Sequence, residues 1–168
     1  MLKITGYCSV FLALALSVTQ AQTKPPATPA ETIAAYFKNG NDQLLVMAKD
    51  FPEDKYQFRL KPEMRSFGDV IVHVASGNVY AAKAGRGEKV KWDELDPKNY
   101  KTKAEIVALL EKSIHDANAT LRTSAEGPKK DLEPWMGVME HSAEHYGLLV
   151  AYYRANGLVP PESRPKGK

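Results

Sequence analysis

The chain has 168 residues, 43% of them hydrophobic and 26% charged, with a formal net charge of +3 and a single cysteine. Charge of both signs is mixed along it, and the absence of a basic block excludes the surface that nucleic-acid binding requires. One cysteine excludes a disulfide framework within the chain and any multi-thiolate metal site.

In chain order, Lys3 gives a short basic start, Ile4 to Val18 is an apolar run, and Thr19-Gln20-Ala21 offers small residues two apart. This pattern predicts a secretory signal peptide over residues 1–21, cleaved after Ala21. A retained membrane anchor is the alternative, but the run is short of the roughly 20 apolar residues a span needs. Cys8 follows Thr5-Gly6-Tyr7, which does not resemble a lipoprotein signal. The expectation is an exported protein, periplasmic or extracellular, with no cysteine and no membrane segment once mature. Residues 22–27, rich in Thr, Lys and Pro, read as a flexible leader. One helical domain is expected over 28–168.

Thr28-Pro29-Ala30-Glu31 combines a cap, a first-position proline and a capping-box glutamate. The helix that follows has an apolar face of Ile33, Tyr36, Phe37, Leu44, Leu45 and Met47, is weakened or bent at Gly40, and stops near Asp50 before Pro52. Pro52 to Arg65 reads as an ordered connection, with Tyr56, Phe58 and Leu60 covering core. Ser66-Phe67-Gly68-Asp69 is a second capping box. Its helix carries Phe67, Val70, Ile71, Val74 and Ala81 at helical spacing. His73 lies in its second turn, and Gly77, one turn on, leaves room for a close helix or a ligand. Taken alone, His73 reads as a histidine at a core edge.

Gly85 to Lys101 has no sustained period and exceeds the usual helix–helix loop, so it permits a crossover along a bundle. Trp92 and Tyr100 in it either pin the connection or line a pocket mouth; pinning is the simpler expectation. Thr102-Lys103-Ala104-Glu105 is a third capping box, followed by Ile106, Leu109, Leu110, Ile114, Ala117 and Leu121 at helical spacing. His115 sits off that stripe among Glu111, Lys112 and Asp116 and reads as solvent-facing. Glu126-Gly127-Pro128 breaks the helix. Leu132 to Ala155 is the fourth helix, stopped by Asn156-Gly157. The proline-rich tail should wrap the surface. Four amphipathic helices without a strand signal predict an all-α four-helix bundle with a long crossover between the second and third.

The chemistry concentrates in His141-Ser142-Ala143-Glu144-His145. Histidines four apart on a helix lie about 40° apart around its axis and one turn apart along it, so both imidazoles can meet one atom. Val138, His141, His145, Leu148, Leu149 and Tyr152 share one stripe. Imidazoles on a buried stripe require polar partners or a metal. With His73 they supply three nitrogen donors from two helices, leaving an open position of the kind catalytic sites keep. The same stretch fits an inverted zinc-protease motif. That motif needs a distant glutamate ligand in a large domain, and the chain has 23 residues after His145, with Glu162 in the tail. Glu144 is a weak candidate base, being about 100° around the helix from His145. Tyr80, Tyr146 and Tyr152 are candidate pocket donors or plain core.

Met64-Arg65-Ser66-Phe67-Gly68-Asp69-Val70-Ile71-Val72-His73-Val74-Ala75 and Glu140-His141-Ser142-Ala143-Glu144-His145-Tyr146-Gly147, continuing to Arg154-Ala155-Asn156-Gly157-Leu158-Val159-Pro160-Pro161, resemble the DinB-like metal-binding four-helix bundles. The resemblance spans nearly all of the chain after residue 27. It implies an up-down-down-up helix order and one divalent metal held by His73, His141 and His145. Such a donor set accommodates zinc, nickel, iron or cobalt alike. Some relatives resemble thiol-dependent transferases or isomerases in which a metal stabilises a thiolate. The implied function is a metal-dependent transferase or hydrolase acting on a small molecule, as a monomer or homodimer. The alternative is a metal-binding or structural bundle without catalysis.

Overall fold

A computed structural model of the chain describes residues 28–90, 92, 95–126 and 131–165. The expected signal peptide and leader lie outside the described residues, as do Gly127 and Pro128. Four helices carry the fold: α1 Pro29–Asp50, α2 Phe67–Gly85, α3 Lys103–Glu126 and α4 Glu133–Ala155. No strand occurs among the described residues, and no helix there is long and apolar enough to cross a membrane.

The helix starts follow from local chemistry. Glu31 N–H donates to Thr28 Oγ1 at 3.2 Å and Thr28 N–H donates back to the Glu31 carboxylate at 2.7 Å. Ser66 and Asp69 make the same exchange at 3.2 and 3.1 Å, and Thr102 and Glu105 at 3.2 and 3.0 Å. Each such cap stabilises its helix by about 1 kcal/mol. The ends of α2 and α4 are equally local. Gly87 and Gly157 have φ of 79° and 69°. This left-handed turn lets Glu88 and Leu158 N–H reach back to the carbonyls of Lys83 and Tyr153 at 3.2 and 2.9 Å. Glycine tolerates that φ without a Cβ clash.

Contacts at the two ends fix the topology. Phe51, just past α1, stacks on Phe67 at the start of α2 with ring centroids 3.7 Å apart, so α1 and α2 are antiparallel. Ile106 packs against Gly68 and Thr120 against Gly85, so α3 runs parallel to α2. Trp135 meets Gly85 while the Tyr152 hydroxyl bonds the Arg65 carbonyl, so α4 runs against α2. The order is up-down-down-up. The α2–α3 connection must therefore travel the length of the 19-residue α2, roughly 28 Å at 1.5 Å per residue. It is tied down midway, where Leu95 N–H donates to Ser76 Oγ at 2.8 Å, and it includes a 3₁₀ turn at Pro97–Asn99.

The core forms two apolar clusters. One holds Leu44, Met47, Phe51, Tyr56, Phe67, Ile71, Leu110, Leu149, Tyr152 and Tyr153; the other holds Phe37, Ala81, Leu121, Trp135 and Val138. Between them each helix contributes a buried polar residue: Asn41, Ser76 and Asn78, Ser113, and Ser142. Asn78 Nδ2 donates to Asn41 Oδ1 at 2.9 Å and to Ser113 Oγ at 3.4 Å. This band was not anticipated from sequence.

One expectation for α1 needs correction. Tyr36, placed on the apolar face, is 65% exposed, because it lies at the edge of the stripe set by Phe37, Leu44 and Met47. The helix runs unbroken through Gly40, which has no atom within 4 Å of where a Cβ would stand. The Pro52–Arg65 connection is ordered as expected: Tyr56 is buried, its hydroxyl bonds the Ala48 carbonyl, and Phe58 and Leu60 flank the core. The tail returns to α1, where Arg164 holds Asp50 by two bonds of 2.8 and 2.5 Å. The Arg164 guanidinium keeps the Asp50 carboxyl below its usual range.

Candidate metal centre

The three sequence-nominated histidines converge. His73 projects from the second turn of α2, and His141 and His145 project from successive turns of α4, the helix that packs beside α2. Each residue offers one ligand nitrogen, and those atoms all lie within 4.8 Å of one another. The Nε2 atoms of His73 and His141 are 2.9 Å apart. Ring centroids are separated by 4.7 Å for His73–His141, 4.7 Å for His73–His145 and 4.4 Å for His141–His145. All three rings are partly buried. His115 is exposed on α3 and stands apart from the group.

Burial is the largest influence on His141. Together with the neighbouring His145 and His73 and the more distant Arg65, it lowers the His141 pKa to about 4. The ring is therefore neutral at neutral pH, the state in which imidazole binds a metal. His141 Nδ1 is buried, has no hydrogen-bond partner among the described residues, and lies against Gly77: a Cβ there would stand 3.2 Å from it. Gly77 thus serves the close helix approach expected of it. With Nδ1 against α2, Nε2 is the His141 nitrogen that faces His73. Three converging imidazoles, one of them disfavoured by burial from taking a proton, suit a divalent cation.

Glu144, the weak candidate base, is exposed, and no carboxylate belongs to the histidine group among the described residues. The angular offset from His145 is the reason: at about 100° around the helix, Glu144 leaves the stripe facing α2. Tyr152 is core, buried with its hydroxyl on the Arg65 carbonyl. Tyr146 lines a shallow groove between α1 and α4, together with Tyr36, Met139 and Ser142.

Of the two placements expected for the aromatic residues of the crossover, Trp92 takes the less favoured one. Tyr100 does pack on the core, as a pinning residue should. Trp92 instead lies at the histidines, with ring centroids 5.1 Å from His141, 6.0 Å from His73 and 5.2 Å from Tyr80. It remains 43% exposed. Periodicity carries no information in a connection, so only the path of the crossover reveals this placement.

A four-helix bundle with three histidines converging between two of its helices defines a candidate metal-binding helical protein. The chain belongs to the DinB superfamily, whose family model matches residues 36–152 and so spans all three histidines. No curated protein matches the chain in sequence.

Proposed function

We propose that the protein binds one divalent metal through His73, His141 and His145 and acts on a small molecule at the remaining coordination position, as a metal-dependent transferase or hydrolase. The observation that carries this reading is the approach of three histidine ligand atoms to within 4.8 Å of one another in a DinB-superfamily bundle. Three protein ligands would leave a divalent cation at least one open place, and a fifth where the coordination expands. A bound divalent metal would supply Lewis acidity and lower the pKa of a coordinated water or thiol. His73, His141 and His145 would hold and orient the cation. Glu144 is exposed and stands outside the histidine group, so a proton lost on ligand binding would pass to solvent. Binding without catalysis is the competing reading. We further propose that residues 1–21 direct export and are removed, which would place this chemistry in the periplasm or outside the cell. Intact mass of the exported protein should then begin at Gln22.

The test is metal analysis of untagged protein purified without chelators. About one metal per chain is expected. Alanine at His73, His141 or His145 should each abolish most of it, and His115→Ala should leave it unchanged. Metal lost with His115→Ala but kept with His73→Ala would refute the assignment. Cobalt-substituted protein separates the two chemistries: a sulfur-to-cobalt charge-transfer band on adding thiol supports the transferase. A response to azide alone supports the hydrolase, and no response to either supports the competing reading.

A further inference from the structure

The α2–α3 connection is anchored without Trp92. Leu95 N–H bonds Ser76 Oγ at 2.8 Å, and Leu95 and Tyr100 both pack on the larger apolar cluster. Trp92 is only partly covered by the bundle, and 43% of it stays in solvent. It nevertheless has specific neighbours on α2 and α4. One edge abuts Gly77, where a Cβ would stand 3.2 Å from Cη2, and Tyr80 supports it at 5.2 Å between ring centroids. His141 and His73 lie beside it at 5.1 and 6.0 Å. The connection therefore holds a large aromatic surface in water next to two of the three histidines, where a single polar residue would be easier to solvate.

We propose that Trp92 is the specificity-determining wall of the centre, and that the ligand taken at the open coordination position carries a planar apolar group beside its donor atom. This inference rests on the metal-binding reading above. A ring on the ligand would cover the exposed part of the indole, adding aromatic contact and removing apolar area from water. A ligand with the same donor and only a methyl group would gain neither.

The experiment compares acetohydroxamate with benzohydroxamate, which present the same chelating group with a methyl or a phenyl substituent, by spectroscopic titration of cobalt-loaded protein. The parent protein should bind benzohydroxamate about tenfold more tightly than acetohydroxamate, the size expected for one stacked and partly buried ring. Trp92→Ala should bring the two affinities within about twofold while retaining about one cobalt per chain; Trp92→Phe should keep most of the preference. Equal affinities in the parent, or a preference that survives Trp92→Ala, would overturn the proposal. So would loss of cobalt from Trp92→Ala, because Trp92 would then serve the ligand geometry instead of selecting among ligands. Failure of the parent to bind cobalt would instead remove the metal-binding reading itself.

Discussion

Replacing Gly77 by alanine separates the stability of the fold from the quality of the centre. The new Cβ would stand 3.2 Å from His141 Nδ1, 3.2 Å from Trp92 Cη2 and 3.4 Å from His141 Cε1. Ordinary contacts at a Cβ lie at 3.4–4 Å, so both neighbours must yield by a few tenths of an ångström. Trp92 can move outward into solvent. His141 cannot, because its other face is committed to His73 at 2.9 Å. Metal sites tolerate displacements of only about 0.5 Å before affinity suffers, and disturbing the residues that orient a ligand costs about 10–100-fold. A roughly tenfold loss of metal affinity is expected, the low end of that range. Alanine also exceeds glycine in helix propensity by about 1 kcal/mol, which offsets the crowding, so the metal-free protein should be no less stable. Gly40→Ala is the control: with no atom within 4 Å of the Cβ, it should gain roughly 1 kcal/mol and leave metal affinity alone. Competition against a chromophoric chelator gives the affinities, and thermal unfolding of the metal-free proteins gives the stabilities. Undiminished metal affinity in Gly77→Ala would refute the claim that the α2–α4 approach sets the position of His141.

Lowered to about 4, the His141 pKa makes the folded state bind fewer protons than the unfolded state between pH 4 and the ordinary 6.5. Stability of the metal-free protein from this group is thus fully present above pH 6.5 and is lost as pH falls toward 4. The loss is on the order of 2 kcal/mol after allowing for partial exposure. Urea titrations at pH 7 and pH 4.5 should show the drop, and a His141→Gln variant that retains most of it would refute the assignment. Gly85→Ala should destabilise by about 1–3 kcal/mol, because its Cβ would stand 2.5 Å from Cζ2 of fully buried Trp135; an unchanged unfolding temperature would count against it. Arg164→Ala should release the tail from Asp50. Faster hydrogen exchange at 162–164 with an unchanged global midpoint is expected, and unchanged exchange would contradict the clamp.

The helix boundaries were legible because their causes are local. Thr28, Ser66 and Thr102 each find their partner three residues on, and Asn156-Gly157 ends α4 through bonds spanning a single turn. The histidine pair was legible for the same reason, since a four-residue spacing fixes the faces of His141 and His145. Separating His115 from the group needed only its charged neighbours, and Lys112 and Asp116 there do form an ion pair. Sequence left Trp92 between pinning and lining because its position depends on where a crossover lies against two helices. The link between Asn41 and Asn78 was missed because 37 residues separate them, and each alone resembles a polar residue on an amphipathic helix. Tyr36 was misplaced because spacing does not resolve the edge of an apolar stripe, whose width depends on the neighbours.

Those nonlocal features also explain why the centre sits where it does. Imidazoles buried against a continuous aliphatic core would lose hydration with little in return. Here His141 lies at the level where the two apolar clusters part, adjacent to Ser142 and against Gly77, whose neighbours Ser76 and Asn78 belong to the polar band. Burying such a band opposes stability wherever a polar atom lacks a partner, by about 1–3 kcal/mol each. Asn78 Oδ1 and Ser142 Oγ are two such atoms among the described residues. The return is register. The bonds from Asn78 to Asn41 and Ser113 exist at only one axial offset of α1, α2 and α3. Gly77 against His141 and Gly85 against Trp135 fix α2 to α4 at two heights. A slip of one turn, about 5.4 Å, would set Trp135 against a residue with a Cβ and carry His73 past the α4 pair. Packing that forbids the slip is therefore the same packing that brings the three histidines together.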